Sequence, residues 1–596
     1  MKRFITIPFL LIAFSLFAAP ISEQKARNIA SNFFTKGATR SSSVVLDMEW
    51  SGNNLNTPKP SEATTRTSAT EEEVEGSLLY IFNRIDSKGF VVVAGDDKVQ
   101  KPILAFSRNA NFDINNMPDG AKAILQGWCE QVAATRADKF AHSVTRTENE
   151  DIGNVVVKHE TAIWHQSAPF NNESPVYEGI ETPCGCVALA AGIICRYHAY
   201  PEKGVGTTPK YTYTDDIGVT RTIPANTLGR TYDFNKILTQ YDEGAYTEEE
   251  GAMVAALLYD LGTAFKMEFG QDGSLSSTEG AARSLIEYFG YSKGAIYLKH
   301  FGRSEEEWSA MLRKNLCDYG PMQYGGSSDT GAHSFLLDGC TDKNYFSINF
   351  GWGGKSNGYY LMPEIKYYKN QAAVFYLMPD RDGSSTYRSN ISLAAYEGSK
   401  ATYKGLYTTA DEFTVGSEFT VYIAIQNDGF ASFNGEVCVA HCNKSGEIKD
   451  IRYTINRANN SLGIDKRYGY YPTLTLERPI EEGDRLLAFH RSSSSGEWMR
   501  AANNAEDAYD EILLCATPQD VARSLKLTYK KDKNTLTYNS IHAIQFRLIN
   551  SKGETVMSTK TKSFDSYTID LSGLEKGLYT LAFASGGEPY NLSFEL

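Results

Sequence analysis

The stretch from Glu181 to Pro201 constrains this chain most, because it joins a turn with two close cysteines to a helix whose ends are both marked. It reads ETPCGCVALAAGIICRYHAYP. Small and aliphatic residues of good helical character follow Gly185, and Pro201 cannot continue a helix. We expect the helix to begin near Gly185, which puts Cys186 in its first turn. Unpaired backbone N–H groups and the positive end of the helix dipole favour a thiolate there.

Two strand-like fragments far downstream carry the groups that a thiolate nucleophile needs. GAHSFLLDG spans 331–339 and contains His333, and SINFGWGG spans 347–354 and contains Asn349. A single histidine is more often a satisfied core residue. A cysteine, a histidine and an asparagine in separate motifs instead suit a nucleophile, its general base and a group that orients the base.

Together these fragments resemble the streptopain family of papain-like cysteine peptidases, in GCVA and YHAYP at the two ends of the helix, in GAHSFLLDG and in NFGWGG. The resemblance implies that Cys186 attacks the peptide carbonyl, that His333 is the base and that Asn349 orients the imidazole. The segment WHQSAPFN (164–171) is similar to the family segment with the oxyanion-hole glutamine, which corresponds to Gln166. The implied reaction is hydrolysis through a thioester, with a reduced thiol and neither metal nor organic cofactor.

The resemblance also suggests residues that line the substrate cleft. Trp352 would form a hydrophobic wall, although it would serve equally well as a core residue, and Ala332 precedes the histidine. Ser274 falls in a loose match to a substrate-contacting segment, for which a flexible surface loop is the alternative. Phe350 stands where the family usually has Trp and Ala332 where it often has Gly, and neither change removes a catalytic group. The implied specificity is for an apolar side chain two residues before the scissile bond.

Two alternatives concern the cysteines around the helix. Cys184 is a rival nucleophile, but it precedes the helix and the family motif. Cys184, Cys186, Cys195 and His198 form a possible zinc set. A helix turns about 100° per residue, so Cys195 points about 180° away from Cys186, which argues against one shared metal ion. We therefore predict no metal site.

Composition limits the possible binding partners and the expected number of disulfides. The formal charge is 59 − 72 = −13, which argues against nucleic acid or an anionic membrane as partner. The 9 cysteines are an odd number with irregular spacing, so at least one thiol is left over and we expect few or no disulfides.

The N-terminal quarter is predicted to be a signal followed by a propeptide. Residues 1–19 read as a secretory signal peptide, and no other stretch is long enough to span a membrane. Residues 20–147, with a helix after Ser22, a hairpin over 78–94 and a helix over 121–132, look like the family propeptide, an intramolecular inhibitor; a plain α+β domain is the alternative. Arg146 and Lys158 are candidate activation cuts in a polar stretch.

The rest of the chain divides into a peptidase domain and two β-rich modules. Residues 148–382 give helices first and strands afterwards, which predicts an α+β, two-lobed papain-like domain with the nucleophile and base on different halves. Residues 385–516 alternate as in an immunoglobulin-like β-sandwich. Residues 520–596 form another β-sandwich, which resembles the C-terminal sorting modules of Bacteroidetes surface proteins, with a sandwich lacking a sorting role as the alternative.

These observations predict a secreted or cell-surface cysteine endopeptidase made as a zymogen. Its partners would be protein or peptide substrates and its own propeptide. One rival is an inactive surface adhesion protein that keeps the peptidase fold. Another is a transpeptidase that uses the same catalytic set.

Overall fold

The computed structural model describes residues 20–35, 44–55, 76–137, 151–328, 331–361, 369–398, 401–492, 496–504, 508–524, 526–530, 534–540, 544–560, 565–584 and 590–595. The predicted signal peptide (1–19) and the candidate cut at Arg146 lie outside the described residues. We divide the described chain into an N-terminal unit (20–137), a central unit (151–382), a sandwich unit (391–514) and a C-terminal unit (516–595).

The N-terminal unit packs two helices on a four-stranded antiparallel sheet. Its elements are α1 (Glu23–Thr35), β1 (Leu46–Gly52), β2 (Leu79–Arg84), β3 (Phe90–Ala94), β4 (Ile103–Ser107), a 3₁₀ turn (Ile114–Asn116) and α2 (Asp119–Ala137). Ser22 caps α1 through a hydrogen bond from the Lys25 N–H, at 3.3 Å. β2 and β3 form the predicted hairpin.

The central unit has helices in its first half and an antiparallel sheet in its second. Its elements are β5 (Val155–Lys158), β6 (Val176–Tyr177), β7 (Ile180–Glu181), α3 (Cys186–His198), β8 (Thr207–Thr208), β9 (Tyr211–Thr214), β10 (Thr220–Ile223), β11 (Asn226–Thr227), α4 (Glu248–Ala264), α5 (Thr278–Phe289), β12 (Ile296–Lys299), α6 (Glu305–Tyr319), β13 (Met322–Ser328), β14 (Gly331–Thr341), β15 (Phe346–Asn349), β16 (Gly358–Tyr360) and β17 (Lys369–Phe375). The predicted α+β order is confirmed. No helix of the described residues is long and apolar enough to cross a membrane.

One sheet runs through both units. Its order is β1-β2-β3-β4-β16-β15-β14-β13-β17-β12, and β4 pairs antiparallel with β16 at the junction. Alternate residues of β14 face opposite sides, because side chains alternate along a strand. Phe335 and Leu337 enter a core shared with α1, α2 and α6, and Leu336 enters the core around α3, α4 and α5. The N-terminal unit is thus an extension of the central sheet.

The last two units are all-β apart from one short helix. The sandwich unit contains β18 (Ile391–Leu393), β19 (Ala395–Glu397), β20 (Thr402–Lys404), β21 (Leu406–Thr408), β22 (Glu418–Asn427), β23 (Gly435–Cys442), β24 (Ile448–Asn456), β25 (Arg467–Tyr470), β26 (Thr473–Thr475), β27 (Arg485–Ser492), β28 (Met499–Arg500) and β29 (Glu511–Leu513). The C-terminal unit contains α7 (Pro518–Ser524), β30 (Lys526–Lys530), β31 (Thr535–Ser540), β32 (Gln545–Asn550), β33 (Thr555–Lys560), β34 (Asp565–Asp570), β35 (Leu578–Ala584) and β36 (Tyr590–Glu595). Each has its own hydrophobic core, which confirms the two predicted β-rich modules.

Candidate active site

The first turn of α3 carries Cys186, as the sequence predicts. Gly185 is the N-cap with φ of 87°, a conformation that favours glycine, and the helix ends at His198 before Pro201. Cys186 is half-buried, whereas Cys184 is fully buried and donates its N–H to the Gln166 carbonyl at 3.2 Å. Burial raises the pKa of both thiols. Cys186 is therefore the more accessible of the two.

The helix start faces the strand that carries His333. Burial raises the pKa of Cys186, and the backbone groups of Ser334 and Val187 counteract that rise. Ser334 follows His333 directly on β14, so the thiol lies against the backbone next to the histidine. Burial also lowers the pKa of His333, which favours the neutral imidazole. The structure thus brings together two predicted site residues from different halves of the central unit.

A buried glutamine ties these two elements together. Gln323 on β13 is fully buried, and its Nε2 donates to Ser334 Oγ at 2.9 Å and to the Val187 carbonyl at 3.3 Å. One side chain therefore joins the residue after Cys186 to the residue after His333. Gln323 could not be identified from the sequence, because nothing in the local pattern distinguishes it from other polar strand residues.

Asn349 lies at the end of β15, beside Leu336 on β14. Its Nδ2 donates to Thr161 Oγ1 at 3.0 Å and to the Ala162 carbonyl at 2.9 Å, and its Oδ1 accepts the Gly351 N–H at 3.1 Å. Within the described residues, no hydrogen bond joins His333 to Cys186 or to Asn349. The predicted role of Asn349 in orienting the imidazole therefore stays a prediction.

The turn after Asn349 packs directly on the cysteine helix. Gly351 has φ of 70°, and a Cβ there would lie 2.6 Å from Leu189 Cδ2. Only glycine fits this position, because both the backbone conformation and the space exclude a side chain. The close approach holds the Asn349 turn against the helix that begins with Cys186.

One segment, residues 158–166, contacts the His333 strand at Asp338, the turn after Asn349 and the loop before Cys186. Lys158 and Thr161 bond to Asp338 Oδ2 at 2.9 and 2.7 Å. The backbone carbonyl of Trp164 accepts a hydrogen bond from the Gly353 N–H at 2.8 Å, and the backbone carbonyl of Gln166 accepts one from the Cys184 N–H. The backbone of Gln166 is thereby placed next to the loop before the nucleophile helix.

The predicted substrate-binding residues have different surroundings. Trp352 is 36% exposed, so it is not a core residue in this form of the chain. Ala332 is exposed on β14 and pairs with Ser327. Ser274 is buried and its hydroxyl donates to the Pro183 carbonyl at 2.6 Å, so this side chain does not lie on the exposed surface of its loop.

The N-terminal unit reaches the same site through the start of α2. The carboxylate of Asp119 raises the pKa of Cys186 and acts in the same direction on His333, against the effect of burial. Next to it, a Cβ at Gly120 would lie 3.2 Å from Phe350 Cδ1 and 3.5 Å from Phe335 Cδ1. The first turn of α2 is therefore fitted to the surface beside the cysteine and histidine.

The other cysteines form no alternative centre in the described residues. All nine cysteines are free, and no group of three or more His, Cys, Asp and Glu in the described ranges is arranged to hold a metal ion. Cys195 is buried on the far part of α3, where it accepts a hydrogen bond from Tyr291 at 3.6 Å.

Three family models match successive parts of this chain. Residues 18–158 match the Spi protease inhibitor, residues 164–360 the Peptidase C10 family, and residues 530–592 the secretion system C-terminal sorting domain. The last match indicates secretion with Bacteroidetes-type sorting.

Known proteins and solved structures also resemble parts of this chain. The chain is 31% identical over 378 residues to the thiol protease/hemagglutinin PrtT of Porphyromonas gingivalis, covering 61% of this chain and 41% of PrtT. It is 28% identical over 308 residues to streptopain of Streptococcus pyogenes, covering 49% of this chain and 76% of streptopain. A solved fragment of Prevotella intermedia prointerpain A is 26% identical, with a TM-score of 0.42, covering 52% of this chain and 96% of the fragment. The chain thus spans less than half the length of PrtT.

Proposed function

We propose that this chain is an exported endopeptidase made as a zymogen, because residues 164–360 match the Peptidase C10 family and follow a match to the Spi protease inhibitor. The observation that carries the proposal is the meeting of Cys186, at a helix start, with the His333 strand under the first turn of α2. Arrangements of this kind suit nucleophilic acyl transfer.

In the proposed mechanism, His333 accepts the Cys186 thiol proton and the thiolate attacks the peptide carbonyl carbon. The oxyanion forms next to the Cys186 N–H and the Gln166 side chain. Its collapse breaks the C–N bond, His333 gives the proton to the leaving amine, and a thioester remains. Water, deprotonated by His333, then attacks the thioester and releases the acid and the thiol.

The uncut chain holds this site in an unfavourable protonation state. Burial raises the pKa of Cys186 and lowers that of His333, so both groups favour the neutral form. The Asp119 carboxylate adds to the first effect and counteracts the second. We infer that removal of the N-terminal unit re-exposes both groups to water and takes away the Asp119 charge, which favours the thiolate.

Of the two candidate cuts, the structure favours Arg146. Lys158 belongs to β5, which pairs with β14 from Gly339 to Thr341, and its ammonium bonds to Asp338. Cleavage after Lys158 would detach a strand of the central sheet and the partner of a buried carboxylate. A cut before Val155 would keep both in the mature enzyme.

The test is the product pattern from a protein substrate after activation, with hydrolysis followed by mass spectrometry in H₂¹⁸O. We expect new carboxyl termini that carry ¹⁸O, from the wild type and from Cys184→Ala but not from Cys186→Ala. Ligated peptides without ¹⁸O would instead indicate transpeptidation. Intact substrate with all three proteins would favour the inactive adhesion protein.

A further inference from the structure

We propose that Thr161 is a positioning residue for the peptidase reaction, which fixes the Asn349 side-chain amide together with the Ala162 carbonyl and the Gly351 N–H. The inference rests on the proposed function, because it assigns a role toward Asn349 as the partner of His333. It concerns a threonine that lies outside every sequence motif used above.

The hydrogen bonds of Asn349 leave its amide only one orientation. The side chain is 1% exposed. The Ala162 carbonyl can only accept, and it lies 2.9 Å from Nδ2; the Gly351 N–H can only donate, and it lies 3.1 Å from Oδ1. The second Nδ2 hydrogen is taken by Thr161 Oγ1 at 3.0 Å. Both donors are therefore committed, and the remaining lone pair of Oδ1 is the group left for an imidazole N–H.

The Thr161 hydroxyl is itself oriented by a buried carboxylate. Thr161 Oγ1 donates a hydrogen bond to Asp338 Oδ2 at 2.7 Å, and the same carboxylate oxygen accepts a hydrogen bond from Lys158 Nζ at 2.9 Å. A carboxylate that accepts from an ammonium gives short, strong hydrogen bonds. Because the hydroxyl proton points at Asp338, an oxygen lone pair faces Asn349. Lys158 and Asp338 thus fix the direction of the Thr161 hydroxyl, and that hydroxyl accepts a hydrogen bond from the Asn349 amide.

Removal of the Thr161 oxygen would leave one buried Nδ2 hydrogen without an acceptor. Buried unsatisfied donors are costly, so the amide would shift to find a partner, while the Ala162 carbonyl and the Gly351 N–H still prevent it from turning over. Its oxygen would then no longer be fixed for the imidazolium that forms during acylation. We expect Thr161→Val, which keeps the side-chain shape, to lower kcat about 10-fold to 100-fold with KM within about twofold. Thr161→Ser keeps the hydroxyl and should restore most of kcat.

The experiment uses the full chain, activated, as wild type, Thr161→Val, Thr161→Ser, Asn349→Ala and the Thr161→Val/Asn349→Ala double variant. The first readout is kcat and KM on one peptide substrate. The second is the pH dependence of Cys186 alkylation by iodoacetamide, which needs no peptidase activity. We expect Thr161→Val to move the alkaline limb of that profile to lower pH, because the imidazolium loses a fixed acceptor, and we expect the double variant to match Asn349→Ala.

Several outcomes separate the inference from the proposed function. If Thr161→Val keeps the wild-type kcat and alkylation profile, or if its loss adds fully to that of Asn349→Ala, the positioning role is overturned. If the wild type alkylates at Cys186 but cleaves no peptide, the proposed function fails and the alkylation profiles still decide the role of Thr161. Should Thr161→Val not fold, Asp338→Asn replaces it. An amide NH₂ at that place can donate to Thr161 and turn the hydroxyl proton toward Asn349, which should move the profile in the same direction.

Discussion

Enlargement of Gly120 in the first turn of α2 should open the zymogen without any cut. A Cβ there would lie 3.2 Å from Phe350 Cδ1 and 3.5 Å from Phe335 Cδ1. An alanine requires the Phe350 ring to give by a few tenths of an ångström. A leucine drives three further carbons into the same contact, and overpacking of this kind costs about 1–3 kcal/mol. In the docked form α2 packs on the central unit, and in the undocked form it does not. Both forms keep the helix, so the gain in helix propensity over glycine is the same in both and cancels.

That cost falls on the docked form, so the undocked population should rise about 5-fold to 150-fold in Gly120→Leu. The assay is the initial rate of iodoacetamide labelling of Cys186 in uncut chain, resolved by peptide mass mapping. Exposed Cys317 in the same molecule is the internal reference, and Gly120→Ala is the matched variant with a small expected effect. If Gly120→Leu labels Cys186 at the wild-type rate, α2 does not control access to the thiol.

Three further changes test separate parts of the site. Gln166→Ala should lower kcat by about 10²–10³ with intact thiol labelling, because it removes an oxyanion donor; an unchanged kcat would exclude that role. Asp119→Asn removes a charge that raises the pKa of Cys186, so labelling of uncut chain should begin at lower pH; a shift to higher pH would contradict the assignment. Gly351→Ala should lower the thermal midpoint, because its φ is 70° and its Cβ would lie 2.6 Å from Leu189 Cδ2; an unchanged midpoint would show that the turn can relax.

The nucleophile helix could be predicted from the sequence because its signals are local. Gly185 supplies the positive φ before the first turn, and Pro201 excludes continuation. Other local signals were only partly sufficient. Ser304 caps α6 by accepting from the Glu307 N–H, but the Glu307 carboxylate binds Arg500 at 2.9 Å instead of completing a capping box with the Ser304 N–H. A tertiary ion pair has taken the place of a local hydrogen bond.

The parts that the sequence did not reveal depend on contacts between distant residues. The sequence predicts only a polar stretch with candidate cuts at β5, which becomes a strand because it pairs with β14, about 180 residues later in the chain. Thr161 likewise gains its place from Asp338 and Asn349, neither of which is near it in sequence. The continuous sheet through β4 and β16 has the same origin. Propensity and periodicity describe single elements, so pairings of this kind leave no local mark.

The most direct test of the zymogen account is the intact mass of purified chain incubated with a reducing agent, as wild type and as Cys186→Ala. We expect the wild type to lose its N-terminal unit at a bond before Val155, so that β5 stays with the central unit, and the variant to remain whole. If both proteins remain whole, and if peptide mapping finds that an irreversible thiol reagent labels Cys184 rather than Cys186 in chain cut by an added protease, the assignment of the nucleophile is contradicted.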